Sequence, residues 1–340
     1  MLNSCSSPYL EMDQAMMINP PHTGMQKSAT LNNTDPNAVA DWIETSVLFG
    51  AEVVSDGEIV DILEEQQVAT PNDDGAELSI ADMIISDARA EIKNRVRYTG
   101  PMNRGGGGYI LTERRRFGPV VDRWEEDPIR AFLLILSMFR RYPDWVSDLK
   151  DYTQQGELFE RVCEALLQNL FTTWTVKRVG WSPDDTQGII PIIQLVSDML
   201  NSSGHAEINK WVSTDNKDGG LDLVAVRRFE EDPREGLPAY LIQCASGANW
   251  RSKIATPSIS SWHKWLDTAV EPSAGLTAPF VISKEMSAQA QLEGQSIVLD
   301  RLRLLNGYYG ESADIDTTLL DDVVAWCRPY VDQLPWLEVA

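Results

Sequence analysis

Apolar residues recur at helical spacing through the first half of the chain. Val39, Trp42, Ile43, Val47 and Leu48 form one stripe across Ala38 to Phe49, and Asp35-Pro36 just ahead is a helix start. Ser55-Asp56-Gly57-Glu58 opens a second helix to about Gln67, with Ile59, Ile62 and Leu63 inward. After the turn-rich Thr70 to Gly75, a third runs from Leu78 to Val96 on a face of Ile80, Met83, Ile84 and Ala88. Pro128 to Tyr142 is a further amphipathic stretch, closed by Tyr142-Pro143. Gly105 to Gly108 lie between these helices. Four glycines in a row do not pack as a helix and predict a mobile loop or hairpin.

The second half alternates. A helix at Gly156 to Phe171 is followed by a strand-like Trp174 to Gly180 and an apolar helix at Ile189 to Leu200. Short β-rich runs follow at Leu221 to Phe229 and Ala239 to Ala245, then a helix at Trp262 to Ala269. Ala278 to Ser283 and Ile297 to Leu299 read as strands, and Leu319 to Leu337 as an acidic amphipathic helix. Strands separated by helices predict α/β layering. A polar crowding near Asp148 to Gln155 marks a boundary. The expected organisation is a flexible tail at 1–32, a mainly helical domain at 33–150 and an α/β domain at 151–340.

Charge narrows the function classes. The formal net charge is −22 and the pI about 4.5, a balance that repels nucleic acid at long range. Any contact with nucleic acid therefore needs a local basic surface or a basic partner. From Lys93 to Arg116 only Glu113 is acidic, and the stretch ends in Arg114-Arg115-Arg116. It reads equally as a phosphate contact or as a solvated face balancing Glu125-Glu126-Asp127. The four cysteines show no C-x-x-C pair; Cys163 and Cys244 lie in apolar runs and read as core thiols. The most apolar run, Ala131 to Phe139, is too short to span a bilayer, and no signal peptide is recognisable. A soluble cytoplasmic protein is expected, with no membrane partner. The three histidines are far apart, which gives little support to a histidine metal site, and His263 between Trp262 and Trp265 reads as packing. The glycine run lacks the ending of a phosphate-binding loop.

Three segments carry candidate chemistry. Gly156-Glu157-Leu158-Phe159-Glu160 opens a helix whose buried stripe leaves Glu160 at its edge. Asp218-Gly219-Gly220-Leu221-Asp222 delivers a carboxylate through a glycine turn onto an apolar strand. Tyr240-Leu241-Ile242-Gln243-Cys244 is a buried strand that carries a polar amide. A helix glutamate, a strand aspartate and a neighbouring amide can surround one hard divalent cation. Each has a plainer reading. Glu160 alone is a solvated helix residue, the glycine pair a hairpin turn, and Gln243 an edge-strand amide bonded to backbone.

In this order the segments resemble the Mrr-type branch of the PD-(D/E)XK restriction endonucleases. Ala278-Pro279-Phe280-Val281-Ile282-Ser283 is similar to that family's following strand, and Ile297 to Leu302 to its last strand and the segment after it. The likeness covers the C-terminal half and not the first half. It implies a restriction-endonuclease-like mixed sheet flanked by helices, behind a mainly helical N-terminal domain. The implied activity is Mg2+- or Mn2+-dependent DNA cleavage, in a bacterial restriction or anti-phage defence system with a partner protein such as an ATPase, and in a possible homodimer. The implied metal ligands are Asp222 and Gln243, with Glu160 as the helix glutamate. Ala245 stands where the family places its lysine; Lys253 is the best substitute, and Arg251 beside it joins Arg114, Arg115 and Arg116 as a candidate nucleic-acid contact. Ala245 and the charge also suit a catalytically inactive adaptor that keeps the nuclease fold to assemble a defence complex. A helical interaction protein with a small-ligand α/β half is a third reading.

Overall fold

The Asp35-Pro36 signal opens a helix as expected: α1 spans Pro36–Gly50. The computed structural model of the chain describes residues 17–21, 35–50, 53–66, 80–98, 111–113, 116–119, 121–145, 151–179, 188–204, 208–210, 212, 219–229, 232–310 and 313–337. After α1 come β1 (Val54–Ser55), α2 (Asp56–Glu65), α3 (Ile80–Tyr98), β2 (Leu111–Glu113), β3 (Arg116–Gly118) and α4 (Pro128–Arg141). Ser55 caps α2 in a reciprocal box with Glu58, satisfying two orphan N–H groups. β1, β3 and β2 pair antiparallel in a small sheet that the helical periodicity of this half does not announce.

The second half holds α5 (Tyr152–Leu170), β4 (Thr175–Arg178), α6 (Ile190–Met199), β5 (Ser203–Gly204), β6 (Leu223–Val226), β7 (Ala239–Cys244), α7 (Ile259–Trp265) and β8 (Leu266–Asp267). It ends with β9 (Ser273–Thr277), α8 (Lys284–Gly294), β10 (Ser296–Leu299), α9 (Arg301–Tyr308) and α10 (Thr317–Val331). The main sheet has five strands in the order β10-β9-β7-β6-β4. β4, β6 and β7 form an antiparallel meander, and β9 and β10 add in parallel. The architecture is thus mixed α/β, a mixed sheet flanked by helices.

Three expectations move. The strand expected at Ala278 to Ser283 lies earlier, at β9. Its Ser-Ala-Gly-Leu-Thr sequence lacks a β signature because an interior strand here needs small residues: a Cβ on Gly275 would lie 2.8 Å from Ile242 Cγ1. The helix expected to Ala269 ends at Trp265, and Leu266-Asp267 pairs with β5. The expected boundary segment contains the first turn of α5, whose N-cap Asp151 accepts the Thr153 and Gln154 N–H groups.

Alternation along β6 and β7 fills both faces of the sheet. Leu223, Ala225, Ile242 and Cys244 meet Phe159, Val162, Cys163 and Leu166 of α5. Val224, Val226 and Leu241 meet Ile193 and Val196 of α6 and Trp262 of α7, on the opposite face. α6 thus helps cover the sheet. The first face belongs to one apolar core that runs from Met17 to Leu334 and includes α1, α3, α4 and α10.

α1 is buried all round from Ala38 to Leu48, including Asp41 and Glu44. Arg95 of α3 reaches Asp41 at 2.7 Å and Glu44 at 3.3 Å; Arg301 of α9 reaches the same two at 2.6 and 3.0 Å. Ser137 of α4 donates to Asp41 at 2.6 Å. Burial raises the Asp41 pKa, but Arg301, Arg95 and Arg141 outweigh it and hold the carboxyl well below the usual range. This ion cluster ties the helical first half to the sheet. Among the described residues, no helix is long and apolar enough to cross a membrane.

Candidate active site

Two glycines deliver Asp222 to the start of β6. Gly219 and Gly220 have φ of 62° and 73°, a left-handed conformation that disfavours side chains. Space forbids one too: a Cβ on Gly220 would lie 2.1 Å from Thr256 Cγ2, and one on Gly219 2.8 Å from Ile189 Cδ1. The Asp222 N–H donates to the Ile242 carbonyl at 3.0 Å and its carbonyl accepts the Val179 N–H at 2.9 Å. Both neighbouring chain segments therefore pin its backbone.

The Asp222 carboxylate is 5% exposed and accepts the Cys244 N–H at 2.6 Å together with the Gln243 side-chain amide. Gln243 also donates to the Cys244 carbonyl at 3.4 Å, and the Lys253 amine donates to that carbonyl at 3.5 Å. Carboxylate, amide and amine thus gather around one peptide unit at the end of β7. Lys253 arrives from a 3-10 turn at Trp250–Lys253. Ala245 is fully buried among Trp250, Ile254, Leu276 and Phe280, and its N–H donates to Thr277 at 2.9 Å. Packing fills the position where the resemblance expects a lysine.

Glu160 lies on α5 with Arg178 at 3.9 Å; Glu157 lies 3.5 Å from the same guanidinium, and Glu164 accepts the Arg178 N–H at 2.8 Å. Arg178 ends β4 opposite Leu223, one residue after Asp222. The α5 acids therefore flank the end of the sheet at which Asp222 sits. Gln155, on the first turn of α5, is buried and donates to Ser246 at 3.3 Å, just beyond β7. Neither Gln155 nor Arg178 was singled out by the sequence, since a glutamine near a helix start and an arginine on an alternating strand carry no local signal of burial or pairing. Burial, the Cys163 thiol and the Asp222 carboxylate push the Cys244 thiol well up.

Arg116 is exposed on β3 and Arg251 is exposed beside Lys253; Arg114, Arg115 and the glycine run lie outside the described residues. His263, expected to pack, is exposed, while Trp262 and Trp265 on either side turn inward. A groove of about 420 Å³ opens elsewhere, between α5 and α10, lined by Glu157, Arg161, Asp322 and Trp326 among others. Arg161 and Asp322 pair in it at 2.7 Å. The groove holds no part of the Asp222 cluster.

Among the described residues no three His, Cys, Asp or Glu side chains gather as a metal site. The oxygens near Asp222 are its carboxylate and the Cys244 carbonyl; Gln243 turns its amide nitrogen to both, and its amide oxygen faces Gly220. Both are hard donors, and Mg2+ commonly takes few protein ligands and keeps several waters, so the pair fits such an ion once the Gln243 amide group turns its oxygen inward. No family model, curated protein or solved structure matches the chain.

Proposed function

We propose that the chain is a Mg2+- or Mn2+-dependent DNA endonuclease of the PD-(D/E)XK type, acting with a partner protein in bacterial restriction or anti-phage defence. The observation that carries this reading is the gathering of Asp222, Gln243 and Lys253 around the Cys244 peptide. The mixed sheet flanked by helices is the architecture that the resemblance implies, and it supports the same reading.

In this mechanism Asp222 and the Cys244 carbonyl would hold the ion, joined by the Gln243 amide oxygen after a flip of that amide group. When bound, it polarises the phosphodiester and lowers the pKa of a water. The Cys244 N–H fixes the Asp222 carboxylate in place, so little reorganisation is needed as charge develops. Lys253 brings a positive charge to the site from a direction other than β7. It orients the attacking water or steadies the pentavalent phosphate, the role that Ala245 cannot fill. Glu160 and Arg178 set the flank of the site.

Incubating supercoiled plasmid with Mg2+ tests the proposal. Asp222→Ala should abolish cleavage and Lys253→Ala should reduce it roughly a hundredfold or more, the scale of losing a transition-state charge contact. Equal cutting by the Asp222→Ala protein ends this reading. A nuclease-fold adaptor is the second reading, favoured by the apolar packing around Ala245. Absence of cleavage by the wild-type chain, with or without its partner, would select it.

A further inference from the structure

Near the turn that carries Lys253, one arginine rests on an aromatic ring and a second lies within cation–π range of another. The Arg140 guanidinium, at the end of α4, lies 4.1 Å from the Phe280 ring centroid. Phe280 and Trp250 follow with centroids 5.7 Å apart, and Arg251 lies 5.8 Å from the Trp250 ring. The rings come from different elements, Phe280 from the segment after β9 and Trp250 from the turn that carries Lys253. Both are buried, Arg140 is half-buried and Arg251 is exposed. Among the described residues neither arginine forms an ion pair, whereas Arg141, next to Arg140, pairs with Asp35 at 2.8 Å. The contact of Arg251 is a bond to the Met286 sulfur at 3.2 Å, a weak acceptor.

Stacking uses the flat face of a guanidinium and leaves its in-plane N–H donors at the edge. Held in this way over Phe280, the Arg140 fork is preorganised for a phosphate and loses little entropy on binding one, while exposed Arg251 adds charge beside it. The two cations also repel each other. Burial, with the charges of Arg141 and Arg251, pulls the Arg140 pKa down from its usual value against the attraction of Asp41 and Asp35. A bound anion relieves that repulsion, and a carboxylate-rich chain offers few other places for one.

We propose that Arg140 and Arg251, held by Phe280 and Trp250, bind the phosphate backbone of duplex DNA as it leads to Asp222. The helical first half thereby contributes Arg140 to the substrate path. The inference rests on the nuclease reading for its substrate, and the test separates the two.

Fluorescence anisotropy of a labelled duplex oligonucleotide, with Ca2+ in place of Mg2+, reads binding by the full chain across a salt series. Arg140→Gln and Arg251→Gln should each weaken binding roughly tenfold whatever the sequence, and flatten the dependence of log K on log salt by about 1. Arg140→Lys, which keeps the charge without the planar fork, should fall between. Asp222→Ala should keep the wild-type salt slope while losing cleavage. Wild-type slope and affinity in both glutamine variants, or no duplex binding by the wild type, would overturn the phosphate grip. If Arg140→Gln uncovers Phe280 and fails to fold, Arg251→Gln on the exposed side decides alone. Should the arginine variants lose binding while Asp222→Ala still cuts, the grip stands and the catalytic reading falls.

Discussion

Arg95 and Arg301 are sealed in the core against Asp41 and Glu44, whereas Arg140 and Arg251 sit at the edge, within cation–π range of aromatic rings. In the core two arginines face two acids, because a buried charge without a partner costs several kcal/mol. At the edge the same side chain rests on a ring face, and its donors stay available to an anion. The sites teach that net charge is a poor guide to local function: in a chain at −22, Arg140 and Arg251 form no ion pair among the described residues, although Asp41 and Asp35 attract Arg140. Asp127 supplies an intermediate case. It is buried, accepts the Tyr309 hydroxyl at 2.5 Å and has the Arg130 guanidinium at 3.8 Å. Burial wins there over Arg130 and Tyr309, and the pKa rises to about 6.

The contrast is broken most forcefully at the core. Arg301→Met leaves two buried carboxylates facing one arginine and should cost about 3–5 kcal/mol in urea unfolding. A loss below about 1 kcal/mol would mean that the cluster is solvated, and the distinction between core and edge would disappear.

A smaller effect is expected at Asp127, and it depends on pH. Its folded pKa of about 6 exceeds the unfolded value, so the folded state holds the proton more tightly. The associated stability is fully present below about pH 4, and it is lost as pH rises through about 6, by roughly 3 kcal/mol in all. Asp127→Asn stays neutral and keeps an acceptor for Tyr309. Against wild type it should gain stability between those pH values and be the more stable protein at about pH 8. Parallel denaturation curves for the two proteins at every pH would show that Asp127 titrates normally.

The least effect on stability belongs to the edge. Arg251→Gln should change the unfolding free energy by less than about 1 kcal/mol, the scale of an exposed cation–π contact. Its duplex affinity should nonetheless fall. Thermal melting beside anisotropy separates these two roles.

Much of the fold is legible in the sequence, and the reason differs from element to element. α1 and α4 follow from apolar spacing and a proline at the first turn, both local properties. β6 and β7 follow from short apolar runs bounded by turn residues. β9 is displaced because its small residues answer to the side chains of flanking strands, as Gly275 does to Ile242. The polar side of α1 carries no sign that Asp41 and Glu44 face inward, since the arginines that receive them lie far along the chain. Arg140-Arg141 likewise reads as a basic pair suited to a helix C-terminus.

The order of elements, the glycine turn ahead of Asp222 and the candidate polar residues are set by local sequence, because periodicity and backbone freedom act over a few residues. Tertiary structure alone brings Lys253 to the Cys244 carbonyl, surrounds Ala245 with apolar neighbours and lays Arg140 on Phe280. Those contacts join segments whose separation along the chain carries no periodic signal. Only packing around a common core selects which distant side chains meet.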